Sequence, residues 1–120
     1  MNGLPDEIFR RWGHSFEEDE GDVRVYRPAE YDFPRARGRA GIEFRPDGTF
    51  IDWVIGPGDA TEPVNARWQT EAPGRVVASF EGEARPARAF EIVEVGPDVL
   101  KLREVPALRP PAPLAGPPPG

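Results

Sequence analysis

The chain has 120 residues, 21 acidic and 15 basic side chains, a formal net charge of −6 and no cysteine. Scattered arginines in an acidic chain lack the basic footprint that phosphate backbones require, which excludes nucleic acid as an expected partner. Without cysteine there is no disulfide and no thiolate metal site, and no apolar run is long enough to cross a membrane. We therefore expect a cytoplasmic protein without metal or cofactor.

The first predicted element is a short helical turn. Proline followed by two acids at positions 5–7 suits the start of a helix, because proline presets φ and acids complement the helix dipole. Ile8, Phe9 and Trp12 share one face of this segment. We expect the turn to cap one end of the structure that follows.

Turn signals then recur along the chain and indicate hairpins. They are Glu20-Gly21-Asp22, Pro46-Asp47-Gly48, Ala72-Pro73-Gly74 and Gly96-Pro97-Asp98. Alternating runs flank each turn, so strands are predicted at 13–19 with 23–27, 40–45 with 49–55, 64–70 with 75–81, and 89–94 with 100–104. No helical periodicity separates them, and closure hides strand edges, so we predict an all-β, antiparallel up-and-down barrel of about eight strands.

The chain divides into two parts by composition. Residues 1–104 form the predicted barrel, and residues 105–120 read VPALRPPAPLAGPPPG. Proline at that density prevents helix and internal strand, which predicts a disordered tail. Residues 109–113 also approximate a basic residue beside a PxxP motif, so a polyproline recognition segment is the alternative.

One long connection carries aromatic side chains. Residues 28–38 contain Tyr31 and Phe33 between prolines. Aromatic residues on a loop usually bury themselves, so we interpret this segment as a lid.

Several residues give the chain a resemblance to a known group. These are Trp12, the hairpin from Phe44 to Phe50, the strand Ala66-Arg67-Trp68, and Arg103 near the end of the last strand. Residues 12–104 thereby resemble the lipocalin-like, or calycin, group of small β-barrels. The resemblance implies that Trp12 stacks against Arg103 and closes the barrel floor, and that the barrel encloses a cavity for a small apolar molecule.

The aromatic residues supply the candidate ligand site. The predicted lining is Trp53, Trp68, Phe44 and Phe80, with Tyr31 and Phe33 as the gate. An apolar volume with few polar groups is the usual form of a ligand site. The same side chains could equally fill a barrel this small.

Charged residues offer weaker candidates. His14, the single histidine, cannot form a zinc site alone and is interpreted as structural. The acidic run at 17–22 does not match a calcium loop and is interpreted as a solvated hairpin tip. Glu43 and Asp52 lie roughly across one hairpin, where a carboxylate pair could perform acid–base chemistry.

Three arginines, Arg24, Arg45 and Arg67, recur in strands beside aromatic residues. On the outer face they would form salt bridges with neighbouring acids. On the inner face they would need anionic partners, either Glu17 and Glu43 or a ligand carboxylate, because an unpaired buried charge is too costly.

Three functions follow from this architecture. The first is a non-catalytic, lipocalin-like binding protein for an apolar small molecule; the second is an enzyme of secondary metabolism that folds a substrate in the same cavity. The third is a filled barrel that acts as a protein-interaction module. The first two require a cavity, whereas the third predicts an interior filled by side chains.

Overall fold

The computed structural model describes residues 3–36, 38–80 and 85–106, and it forms one closed antiparallel barrel of eight strands. The predicted fold class is confirmed, and the architecture is consistent with a calycin-like fold. The strands are β1 (Arg11–His14), β2 (Val23–Pro28), β3 (Gly41–Phe44), β4 (Thr49–Ile55), β5 (Thr61–Ala72), β6 (Arg75–Phe80), β7 (Arg88–Val95) and β8 (Leu100–Val105). The proposed proline-rich tail lies outside the described residues, apart from the start of its predicted range.

The strand order departs from a sequential meander at one place. Strands β3 to β8 follow one another around the wall, but the β1–β2 hairpin is inserted with its order reversed. β1 pairs with β3, and β2 pairs with β8. β2 and β3 therefore run parallel on either side of β1. The connection between them spans residues 29–40, and its residue Phe33 lies on the outer side of β1 against Gly13.

The first hairpin also differs from the prediction. β1 ends at His14, and a 3-10 turn at Phe16–Glu18 follows where a strand to residue 19 was expected. The backbone N–H of Glu18 donates to the Ser15 carbonyl, which closes the turn. Phe16 consequently lies at the surface, where its side chain is 46% exposed.

The other predicted hairpins form as the local turn chemistry indicates. In the β3–β4 turn, Gly48 adopts φ +95°, a left-handed conformation that favours glycine. The Asp47 carboxylate accepts the backbone N–H of Thr49 at 2.9 Å. Local turn residues therefore fix the register at this hairpin.

Apolar side chains fill most of the barrel interior. Phe50 contacts Phe44, Phe80 and Phe90, with ring centroids 5.1, 6.4 and 5.9 Å away. The wider cluster includes Leu4, Ile8, Trp12, Tyr26, Ile42, Ala66, Trp68, Val76, Ala78, Leu100 and Leu102. These aromatic residues pack against one another, as the alternative of a filled barrel predicted.

The N-terminal turn, Asp6–Ile8, closes one end of the barrel as predicted. Ile8 is completely buried, and its carbonyl accepts the Trp12 indole N–H at 3.0 Å. Phe9 lies 6.0 Å from the Trp68 ring between centroids. This end, which we call the plugged end, is therefore sealed by apolar contacts.

Candidate functional site

Charged side chains occupy the interior at the opposite end of the barrel. Asp52, Arg88 and Glu104 each lie two residues from a fully buried apolar residue on the same strand. Those residues are Phe50, Phe90 and Leu102. Because strand side chains alternate between faces, all three charges share the inner face with the core.

These side chains form one chain of ion pairs, which we call the arginine network. The Arg88 fork donates to both Glu104 oxygens at 2.9 Å, and its Nη1 donates to Asp52 at 3.0 Å. Arg85 donates to the same Asp52 oxygen at 3.1 Å. At the other end, Arg24 Nη1 lies 3.6 Å from Glu104. The order Arg85–Asp52–Arg88–Glu104–Arg24 therefore begins and ends with a guanidinium group.

Exposure rises from the centre of the network toward its ends. The Asp52 and Arg88 side chains are 10% and 19% exposed, whereas Arg85 and Arg24 are 38% and 47% exposed. The terminal guanidinium groups are thus more accessible from solvent than the central pair. A molecule arriving at this end would meet Arg24 and Arg85 first.

The pairing of Arg88 with Glu104 favours the ionised form of both side chains. Burial opposes the charge on Arg88, but hydrogen bonds to Glu104 and the charge of Asp52 raise its pKa overall. The hydrogen bonds from Arg88 lower the pKa of Glu104 against the effect of burial. The five groups carry three positive and two negative charges, so the network has an excess of one positive charge.

Aromatic rings lie directly beneath the guanidinium groups. Arg88 Cζ is 4.9 Å from the centroid of Phe90, and Arg85 Cζ is 5.6 Å from that of Phe80. Tyr26 is also buried here, and that burial raises the pKa of its phenol. Guanidinium groups over aromatic faces gain a cation–π attraction that holds them in place.

A histidine–carboxylate pair lies beside the network. His14 Nε2 is 3.0 and 3.1 Å from the two Asp19 oxygens, and the His14 ring packs 5.1 Å from Tyr26. Asp19 also accepts the backbone N–H of Val25 at 2.9 Å. The pair holds the β1–β2 connection onto β2, which agrees with a structural role. A pocket of about 430 Å³ lies between this pair, Arg24 and Glu104.

The predicted ligand-binding aromatics occupy different places. Phe44, Trp68 and Phe80 lie in the packed interior, and the Trp68 indole donates to the Arg45 carbonyl at 2.8 Å. Trp53 lies on the outer face, where its indole donates to Glu43 at 3.1 Å. These residues do not converge on one site, and their role in ligand binding stays a prediction.

The segment interpreted as a lid covers the outside of β1 rather than an end of the barrel. Phe33 lies on Gly13, where a Cβ would approach Phe33 Cζ to 2.8 Å. Tyr31 packs edge-on against Phe33, with centroids 5.0 Å apart. Glycine at position 13 thus allows an aromatic ring to lie on the strand.

Trp12 and Arg103 are not brought together, so the contact implied by the resemblance does not form. Arg103 follows the inward-facing Leu102 and therefore points outward, where it donates to Asp22 and Glu91. Arg10, in place of Arg103, lies over the Trp12 ring, with its Cζ 5.4 Å from the ring centroid. The barrel floor is closed by the N-terminal turn instead.

The prediction that Glu43 and Asp52 form a carboxylate pair is also wrong. In the register, Asp52 lies opposite Ile42 and Glu43 opposite Ile51, which places the two carboxylates on opposite faces. On the outer face Arg45 forms the expected salt bridge with Glu43. Arg67 also lies on the outer face, but it donates to the backbone carbonyl of Asp47 and not to a carboxylate. Arg24 instead faces inward and pairs with Glu104.

The acidic run is distributed among basic partners. Glu17 pairs with Arg39, Glu18 with Arg27, and Asp19 with His14. No cluster of three or more potential metal ligands occurs within residues 3–36, 38–80 and 85–106.

Sequence reasoning missed Arg85, Arg88 and Glu104. The signal was alternation: Arg88 precedes Phe90 by two residues, and Glu104 follows Leu102 by two. Each strand thus carries one charged residue at the end of its apolar face. Because Arg88 begins β7, Glu104 lies near the end of β8 and the two strands are antiparallel, both charges lie at the same end of the barrel.

No protein-family model, curated protein or solved structure matches this chain. Among the described residues, no helix is long and apolar enough to span a membrane. The fold class rests on the barrel architecture itself.

Proposed function

We propose that this protein is a lipocalin-like small-molecule-binding barrel whose ligand carries a carboxylate that binds the arginine network. The observation that carries the proposal is the alternating chain of five charges with an accessible guanidinium at each end. A carboxylate would supply the negative charge that the network lacks and would accept hydrogen bonds from Arg24 or Arg85.

The aromatic layer under the network supports an apolar portion of the ligand next to the carboxylate. Phe80, one of the predicted ligand contacts, lies under Arg85. Deeper in the barrel, Phe50 packs against Phe44 and Phe90. These rings occupy the interior that a wholly apolar ligand would need. An amphipathic monocarboxylate therefore fits this end better than the apolar molecule predicted from the sequence.

The test is a titration of the ¹⁵N-labelled full-length chain with hexanoate, followed through the arginine Nε–Hε resonances. Hexanamide, which has the same shape without the charge, is the matched ligand. We expect saturable shifts at Arg24, Arg85 and Arg88 with hexanoate, and at least about tenfold weaker binding of hexanamide, because a hydrogen bond to a charged group is worth about 1.5–3 kcal/mol.

Matched variants locate the binding. Arg24→Gln removes one terminal guanidinium and should raise the Kd for hexanoate about tenfold or more. Arg45→Gln is the control, because Arg45 is similarly exposed, at 50%, but lies at the β3–β4 turn near the plugged end. Equal binding of hexanoate and hexanamide, or unchanged affinity in an Arg24→Gln, Arg85→Gln double variant, would overturn the proposal.

The filled interior also supports the alternative of a protein-interaction module. The core cluster contains fifteen buried residues that occupy the space a ligand cavity would need. A titration in which neither ligand shifts the arginine resonances would favour this alternative.

A further inference from the structure

A groove on the outer wall of the barrel carries a second, independent set of binding features. It lies between β1 and the 29–40 connection and has a volume of about 410 Å³. Half of its lining consists of small residues, and the rest is aromatic or cationic. The lining residues are Gly13, Ala29, Ala40, Gly41, Trp12, Phe33, Arg11 and Arg39. The groove thus combines small residues with aromatic side chains and two cations.

Arg11 is held in a fixed orientation by Trp53. Its Cζ lies 3.8 Å from the centroid of the Trp53 ring, and the Trp53 indole is in turn held by Glu43. Stacking on an aromatic face orients a guanidinium group while leaving its edge donors free for a ligand. Tryptophan on the outer face therefore acts as a platform for Arg11.

The positive charge of Arg11 has no carboxylate partner among the residues that the structure describes. Glu43 lies directly opposite Arg11 in the strand register, but its two oxygens accept from Trp53 and Arg45. The remaining polar contact of Arg11 is a long one, 3.5 Å to the Thr61 hydroxyl. Its guanidinium donors are thus available on the groove side.

Arg39 differs from Arg11 because it is already neutralised. Both of its Nη atoms donate to Glu17 at 2.9 Å, and it also donates to the carbonyls of His14 and Pro34. It lies 4.4 Å from the centroid of Phe33 and so fixes that ring as a wall of the groove. The groove therefore presents one uncompensated positive charge beside one fixed aromatic ring.

We propose that this groove is a second binding site, for a small aromatic monocarboxylate. The carboxylate would receive hydrogen bonds from the Arg11 fork, and the ligand ring would pack against Phe33. A monoanion matches the single uncompensated charge, whereas a phosphate dianion would keep one charge unpaired in a protein that is already acidic.

Benzoate is the probe, and the indole N–H resonance of Trp53 in the ¹⁵N-labelled chain is the reporter. Trp12 and Trp68 lie in the interior, so their indole resonances are internal references. We expect benzoate to shift the Trp53 signal saturably, and Arg11→Gln to raise the Kd for benzoate about tenfold or more. Benzamide and acetate, which lack the charge and the ring respectively, should bind more weakly.

Matched variants separate this site from the charged end. Arg67→Gln removes another exposed outer-face arginine and Arg24→Gln disrupts the arginine network; neither should change the benzoate affinity measured at Trp53. Loss of binding in Arg24→Gln with retention in Arg11→Gln would assign benzoate to the charged end and overturn the groove. An equal Trp53 shift with benzamide, or a stronger one with inorganic phosphate, would overturn the ligand class.

Discussion

The two ends of this barrel are built from the same strands, but one end is closed by apolar side chains and the other carries charged side chains. At the plugged end, Ile8 of the N-terminal turn is buried together with Trp12 and Trp68. The charged end places Arg88 and Asp52 on the same inner face, only two residues from Phe90 and Phe50. A barrel sealed with apolar side chains at both ends would need no such network, and the charged end is therefore where we propose that the ligand binds.

The largest expected effect is the loss of an aromatic core side chain. Phe50 is completely buried among Phe44, Phe80 and Phe90, so Phe50→Ala should lower the free energy of unfolding by about 4 kcal/mol. Equilibrium unfolding in urea measures this, with the exposed Phe16→Ala as the control. A loss under about 1.5 kcal/mol would mean that the core is less tightly packed than the structure indicates.

A smaller loss is expected at the charged end. Arg88→Met leaves Asp52 and Glu104 with only their terminal arginines, and we expect the free energy of unfolding to fall by about 3 kcal/mol. Arg75→Met is the matched control, since Arg75 is 22% exposed against 19% for Arg88 but pairs with Glu71 elsewhere. Equal losses in the two variants would remove the distinction between the network and an ordinary surface pair.

The same variant has a pH signature. Arg88 lowers the pKa of Glu104 in the folded state, so the ion pair stabilises the protein above the usual glutamate range and ceases to do so as pH falls. The stability difference between wild type and Arg88→Met should therefore be larger at pH 7 than at pH 3. A difference that grows on acidification would contradict the ion-pair account.

The smallest expected effect concerns Glu18, in the turn after β1. Hydrogen bonds from Arg27 and from the Ser15 hydroxyl lower its pKa from 4.5 to about 2. The contribution is therefore complete above pH 4.5 and is lost as pH falls through about 2, with solvent screening limiting it to about 1 kcal/mol. Glu18→Gln should lose this stability at pH 7, whereas the exposed Glu7→Gln should not. A Glu18→Gln variant as stable as wild type would show that the turn is held by its backbone alone.

The sequence was sufficient for the hairpins because turn chemistry is local. Gly48 at positive φ and the Asp47 side chain determine the β3–β4 turn without help from distant residues. Closure followed from the number of antiparallel strands and the absence of crossover helices. The N-terminal cap followed from residues 5–12 for the same local reason.

The candidate site was harder because alternation does not say which face is inner. Asp52 was paired with Glu43 across the hairpin, but a register offset by one residue puts them on opposite faces. Arg88 and Glu104 pair across the β7–β8 hairpin, but Arg88 lies 36 positions from Asp52 on β4 and meets it only when the barrel assembles. The reversed β1–β2 hairpin depends on equally distant pairing and has no local signal.

That reversed hairpin has a consequence for how the chain folds. The β2–β8 seam joins Val23 to Arg103, and the ion pair between Asp22 and Arg103 spans 81 positions along the chain. Strands β3 to β8 can assemble by successive neighbour contacts, whereas the seam must wait for nearly the whole chain. Because loop-closure entropy grows with the separation of the paired residues, we expect formation of the β2–β8 seam to be the late, slow step of folding.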